Sequence, residues 1–161
     1  MIRFKVVKAD HHTDVHVEGT LVGDEAAALT KLATQLPADG VRFHLGKLGK
    51  MNTRGIAVWS AFVQSLPGPY EFVDCPTSFI DGVNLFGEVM GAGRVATFFA
   101  PMVCPNCRTS ADVRCRVEDV STEHGFGAHG CPTCGHAPLE PDVAPEDYLT
   151  FLLRQDDPAG N

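Results

Sequence analysis

No lysine follows residue 50, and basic residues are scarce throughout: 13 Lys+Arg stand against 20 Asp+Glu, a formal charge of -7 over 161 residues. A surface built for a polyanion needs a basic face, so general nucleic-acid binding is disfavoured. Long apolar runs are also missing. No stretch approaches the roughly 20 apolar residues that span a bilayer, and the segment Met1–Val15 has no apolar core of the kind that opens an export signal. The expectation is a cytoplasmic protein without membrane insertion, whose cysteines are kept reduced. Internal repeats and low-complexity tracts are absent. What remains is ordinary globular material, 44% hydrophobic and 20% charged. It is enough for one domain, or for a domain of about 100 residues with a small appendix.

The charge divides the chain. Residues 1–100 hold nine basic and ten acidic residues, whereas residues 101–161 hold four and ten. Pro101 and Pro105 bracket the change. The reading is a first domain over 1–100, a cysteine-bearing module over 101–142, and a terminal helix with a frayed tail over 143–161.

Within the first domain the pattern alternates. Phe4–Val7 and Val15–Leu21 read as short strands joined by the turn 9–14. From Asp24 to Leu36, apolar residues recur at helical spacing, with Asp24 and Glu25 on the favourable end of the dipole. Val41–Leu45 alternates as a strand, and a Gly-rich loop is expected over 46–55. Ile56, Trp59, Phe62, Val63 and Leu66 mark a second helix facing the core. Tyr70–Val73 is a strand, Pro76 opens a third helix, and Arg94–Phe99 closes the series as a strand. The order β-β-α-β-α-β-α-β predicts an α/β fold with one mixed sheet packed with helices.

Six cysteines then need an explanation. Cys104-Pro-Asn-Cys107 and Cys131-Pro-Thr-Cys134 are separated by 23 residues. Two such turns can close a tetrahedral four-sulfur shell, which suits one structural Zn2+. Four thiolates leave no open position for catalysis. Gly135 follows the second pair, where a tight turn is needed, and Arg108 occupies the equivalent, less suitable place after the first. Ala111, Val113, Cys115 and Val117 alternate with polar residues as the half-buried strand of a zinc ribbon would. His124, His129 and His136 lie nearby, but nothing in their spacing asks for them as ligands. Cys115 and Cys75 are assigned to packing. Mild reactivity of Cys75, at a helix start, is the alternative.

Val41-Arg42-Phe43-His44-Leu45, followed by Met51-Asn52-Thr53-Arg54-Gly55-Ile56 and preceded by the 15–21 strand and the Asp24 helix, resembles the STAS domain. That family comprises anti-sigma-factor antagonists and the cytoplasmic domains of sulfate transporters. The resemblance covers about residues 2–100. It implies a mixed sheet with helices mainly on one side and a function exercised by protein–protein contact. The junction Phe98-Phe99-Ala100-Pro101-Met102-Val103-Cys104 is similar to a bacterial subgroup carrying a C-terminal zinc ribbon. The family loop reads Asp-Ser-Ser-Gly-Leu, and its second serine is the phosphorylated one. Here Asn52, Thr53 and Arg54 fill those places, and Arg54 cannot accept a phosphoryl group. Thr53 is expected to cap the helix, with its phosphorylation as the alternative.

Lys47, Lys50, Asn52, Thr53 and Arg54 are the candidate partner contact, through an acidic surface or an anion; a solvated basic loop is the plainer alternative. No P-loop spacing is present. At the chain end, Ala144–Asp147 reads as a helix start, with Tyr148, Leu149, Phe151 and Leu152 as an apolar stripe that docks on its own domain or joins a second copy. No nucleophile–base pair or carboxylate dyad emerges. The sequence predicts a non-enzymatic bacterial regulatory or scaffold protein that binds another protein. A zinc-ribbon, transcription-related nucleic-acid factor is the alternative.

Overall fold

In a computed structural model the chain is described over residues 1–156. Strands β1 (Ile2–Lys8), β2 (Thr13–Leu21), β3 (Val41–Met51), β4 (Tyr70–Val73) and β5 (Arg94–Val95) form a sheet in that order. β1 and β2 are antiparallel, and every later pair is parallel. The parallel strands are joined through α1 (Ala26–Ala33), α2 (Thr53–Gln64) and α3 (Thr77–Leu85). Since the sheet always advances in one direction and crossovers keep one hand, all three helices fall on the same face. The expected α/β architecture, a mixed sheet packed with helices, is therefore the one observed.

Sequence periodicity explains which face is covered. Val15, Val17, Phe43, Leu45 and Phe72 alternate along their strands and are buried beneath the helices. Phe43 meets Trp59 of α2 edge-on at 5.8 Å, and Trp59 meets Phe79 of α3 edge-on at 6.1 Å. Trp59 is wholly buried, and its indole N–H donates to Val89 O at 3.0 Å, so the ring adds packing without an unpaired donor. Burying one such side chain contributes about 2–3 kcal/mol. Gly55 lets α2 sit close to β2: a Cβ there would lie 1.9 Å from Leu21 O.

Several local expectations are corrected. α1 stops at Ala33, before Leu36 and Pro37, although Leu36 stays buried. Glu25 folds back on its own approach turn, where burial raises its pKa but the N–H groups of Gly23 and Val22 outweigh that and hold it below the usual range. The Gly-rich segment is not a loop up to its end. Residues 46–51 extend β3, paired with β2 through two register irregularities. Asn52, not Thr53, caps α2, accepting the Gly55 N–H on Oδ1 at 2.8 Å.

The strand expected over 94–99 divides at Ala96. Arg94–Val95 finish the first sheet, while β6 (Thr97–Val103) pairs along its whole length with β7 (Ser110–Arg116) and, at its end, with β8 (Glu140–Pro141). Residue 101, the expected divide, lies inside β6. The two sheets stay joined through Cys75, whose N–H donates to Thr97 O at 3.1 Å and whose carbonyl accepts the Phe99 N–H at 2.9 Å. Phe98 and Phe79 accordingly belong to one continuous core.

The terminal helix is two short ones, α4 (Pro145–Tyr148) and α5 (Phe151–Asp156). Tyr148, Leu149 and Phe151 are buried against the chain's own core, and Leu152 is half-buried. Asn84 of α3 donates to Tyr148 O at 2.9 Å, and the Tyr148 hydroxyl donates to Phe99 O at 2.6 Å. The tail expected to fray lies largely beyond residue 156, outside the described residues. Among the described residues, no helix is long and apolar enough to cross a membrane.

Candidate metal centre

The β6–β7 turn brings Cys104 and Cys107 to one point, and the turn before β8 brings Cys131 and Cys134 to the same point. All four Sγ atoms lie within 4.8 Å of one another. Across the two turns Cys104 faces Cys134 and Cys107 faces Cys131, each at 3.6 Å.

The two turns are copies of one conformation. The Cys107 N–H points at Cys104 Sγ and the Cys134 N–H at Cys131 Sγ, both at 3.5 Å. Arg108 donates its N–H to Cys104 O at 2.9 Å, and Gly135 donates to Cys131 O at 3.1 Å. Both of those residues are left-handed, Arg108 at φ 60° and Gly135 at φ 67°. Glycine adopts that region without cost. An arginine held there is strained, by about 1 kcal/mol or more. The knuckle therefore closes at the first turn despite the unfavourable residue.

Four thiols this close cannot all ionise beside one another without a cation. The N–H of Cys134 favours the thiolate of Cys131 and brings it down to about 6. The Cys107 N–H does the same for Cys104, but burial and the neighbouring sulfurs override it and push that thiol up to about 11. A divalent ion would supply the missing positive charge, and an all-sulfur donor set suits a soft or borderline metal. Asn106 and Thr109 surround the cluster: Asn106 Nδ2 lies 3.5 Å from Cys134 Sγ, and the Thr109 hydroxyl lies 3.2 Å from Cys107 Sγ. His129 is occupied elsewhere, with Nε2 2.8 Å from Phe126 O. Among the described residues the cluster contains the four expected cysteines and no histidine.

The remaining two thiols are interior. Burial, followed by the neighbouring Asp74 carboxylate, holds Cys75 well above the ordinary thiol range, and burial pushes Cys115 up to about 11. Both shifts disfavour the reactive thiolate.

The candidate partner contact is spread over two places. Asn52, Thr53 and Arg54 are exposed at the start of α2, where Arg54 packs so closely on Gly23 that a Cβ on the glycine would lie 2.7 Å from Arg54 Cβ. Lys50 is exposed one turn of chain earlier, near the end of β3. Lys47 instead lines a concavity on the helix-free face of the sheet, with His16 and His44.

That face also carries a connected set of histidines and one carboxylate. His16 and His44 are register partners on β2 and β3, and their rings stack at 4.4 Å and 15°. Asp14 lies between two imidazoles, with Oδ1 2.8 Å from His44 Nε2 and Oδ2 3.1 Å from His12 Nε2. Burial raises the Asp14 pKa, but the hydrogen bond to His44 and the two nearby imidazoles outweigh it and lower the carboxyl. The polar phase of the alternation, 14-16-18 against 42-44, was the available signal. Reading it needed the strand register.

No protein-family model matches the chain, and no curated protein sequence does. Among solved structures, the chain is similar to an anti-sigma factor antagonist from Mycobacterium paratuberculosis. The two are 17% identical, with a TM-score of 0.45, over 54% of this chain and 79% of that one.

Proposed function

We propose that the chain is a non-enzymatic regulatory or scaffold protein that acts by binding another protein, with one structural Zn2+ fastening its second sheet. The four-sulfur cluster carries this reading. Its thiolates would fill all four positions of a tetrahedral ion, so the metal would hold structure and leave no position for substrate. Cys104, Cys107, Cys131 and Cys134 are the ligands in this reading, and the chain works where thiols stay reduced, in the cytoplasm.

The protein-binding part rests on the STAS resemblance of residues 2–100, with its strand–helix order and its Asn52-Thr53-Arg54-Gly55 motif. The exposed start of α2 is the contact, reinforced by Lys50. Arg54 stands where the family carries its phosphorylated serine. A fixed positive charge there commits the surface to one acidic partner state instead of a phosphorylation-controlled one.

A pull-down from native bacterial lysate, comparing wild type with Arg54→Glu, tests the contact. Loss of one specific partner with the variant is the expected result. Equal recovery of every partner would remove the α2 start from the interface. Metal analysis of protein purified without chelator tests the zinc: about one equivalent is expected, and none would refute the site.

A further inference from the structure

The helix-free face of the first sheet carries an arrangement that the protein-binding reading does not use. Register places Lys5 of β1 beside His16 of β2, and His16 beside His44 of β3. The row spans about 10 Å, since neighbouring strands lie about 4.8 Å apart. A register irregularity between His16 and Glu18 then sets Lys47 opposite Glu18, in the next row. Lys5 in this row and Lys47 in the next place two ammonium groups on one face of a chain of net charge -7.

The local acids do not neutralise them. Glu18 is engaged by Arg3 at 2.8 Å, Asp14 by His44 and His12, and Asp74 by Arg114 of β7 at 2.6 Å. Among the described residues, Lys5, His16 and Lys47 have no carboxylate partner. They line one open concavity of about 810 Å3, together with Arg3 and His44 and with the carboxylates of Glu18 and Asp74, which Arg3 and Arg114 engage. Burial first, and then the nearby His44, Lys5 and Lys47, keep the His16 imidazole below its ordinary range, while Asp14 pulls the other way.

We propose that this concavity binds a di- or triphosphate group through Lys5, His16 and Lys47. Two unpaired ammonium groups and an imidazole able to take up a proton call for an anion with several charges, and a lone carboxylate offers only one. Tetrahedral phosphates also accept hydrogen bonds from several directions, as donors on three adjacent strands require. The space exceeds one phosphate, so an organic portion fits beside it.

Calorimetric titration of the intact chain, purified without chelator, with inorganic pyrophosphate and then tripolyphosphate tests the site. Saturable binding is expected, weakened by rising salt. Lys5→Ala and Lys47→Ala should each weaken it about fivefold, whereas Lys31→Ala, on α1 across the sheet, should not. All three lysines are exposed, so folding is preserved. In NMR, the His16 ring resonance should titrate at higher pH in the presence of pyrophosphate. An absence of saturable binding at millimolar concentration would overturn the proposal, as would equal weakening by Lys31→Ala or an unmoved His16 titration. A poly-glutamate peptide that binds the basin more tightly than pyrophosphate would assign it to an acidic protein segment instead.

Discussion

Gln155 and Val95 pair as neighbouring strands do: the side-chain carbonyl of Gln155 accepts the Val95 N–H at 2.5 Å, and its amide donates to Val95 O at 3.3 Å. β5 is a two-residue edge strand, and an uncovered edge is a template for unwanted pairing. The terminal helix thus closes the first sheet with one amide while Tyr148 ties it to β6.

Gln155→Ala leaves both backbone groups of the buried Val95 without this partner. A loss of about 1–3 kcal/mol is expected in urea unfolding. A change within error would mean that water replaces the amide at no cost.

Removing the proposed metal should act locally. Residues 97–101 are held by Cys75 and the shared core, so the effect is expected beyond them. Hydrogen exchange with and without a strong chelator should show protection falling about tenfold or more over 103–139, with β2 and β3 unchanged. Uniform loss across both sheets would show that the metal supports the whole fold.

Gly55→Ala places a methyl group against Leu21 O, a backbone atom that cannot turn aside. Displacement of the α2 start should cost about 3 kcal/mol by thermal or chemical unfolding. Asn52→Ala removes only the cap and should cost about 1 kcal/mol. Equal effects would mean that α2 can shift to accommodate the methyl.

The histidine face makes stability depend on pH. The His16 pKa is lowered in the folded state, chiefly by burial and then by His44, so the unfolded chain binds the proton first. Its contribution is fully present above the unfolded value of about 6.5 and is lost as pH falls toward the folded one. Asp14 behaves likewise further down, below about 3.8, since hydrogen bonds with the imidazoles outweigh its burial. Unfolding free energy should therefore decline below pH about 6.5, and His16→Gln should flatten that part of the curve. An unchanged slope in the variant would assign the decline to other groups.

Much of the first sheet could be read from alternation alone. Val15, Val17, Phe43 and Phe72 are apolar at every second position because one strand face is buried, and the Trp59–Phe62 spacing marks the buried stripe of α2. Local chemistry also announced the cysteine turns, since a CxxC pair presents both sulfurs whatever surrounds it. Local rules failed where tertiary pairing decided. Residues 46–51 carry two glycines and two lysines, yet they form a strand because β2 offers them a ladder. Ala96 ends one strand and begins another because Phe98 has a partner in Cys75 and a new neighbour in β7.

The sequence by itself determined which residues are apolar at which period, and that four thiols stand in two matched pairs. These are properties of neighbours along the chain, set by backbone geometry over a few residues. Only the tertiary structure decided that the two pairs meet, that Gln155 closes the edge at Val95, and that Lys5, His16, His44 and Lys47 share one face. Those contacts depend on strand register and on which surface the helices leave uncovered, and both are fixed by the packing of the whole core.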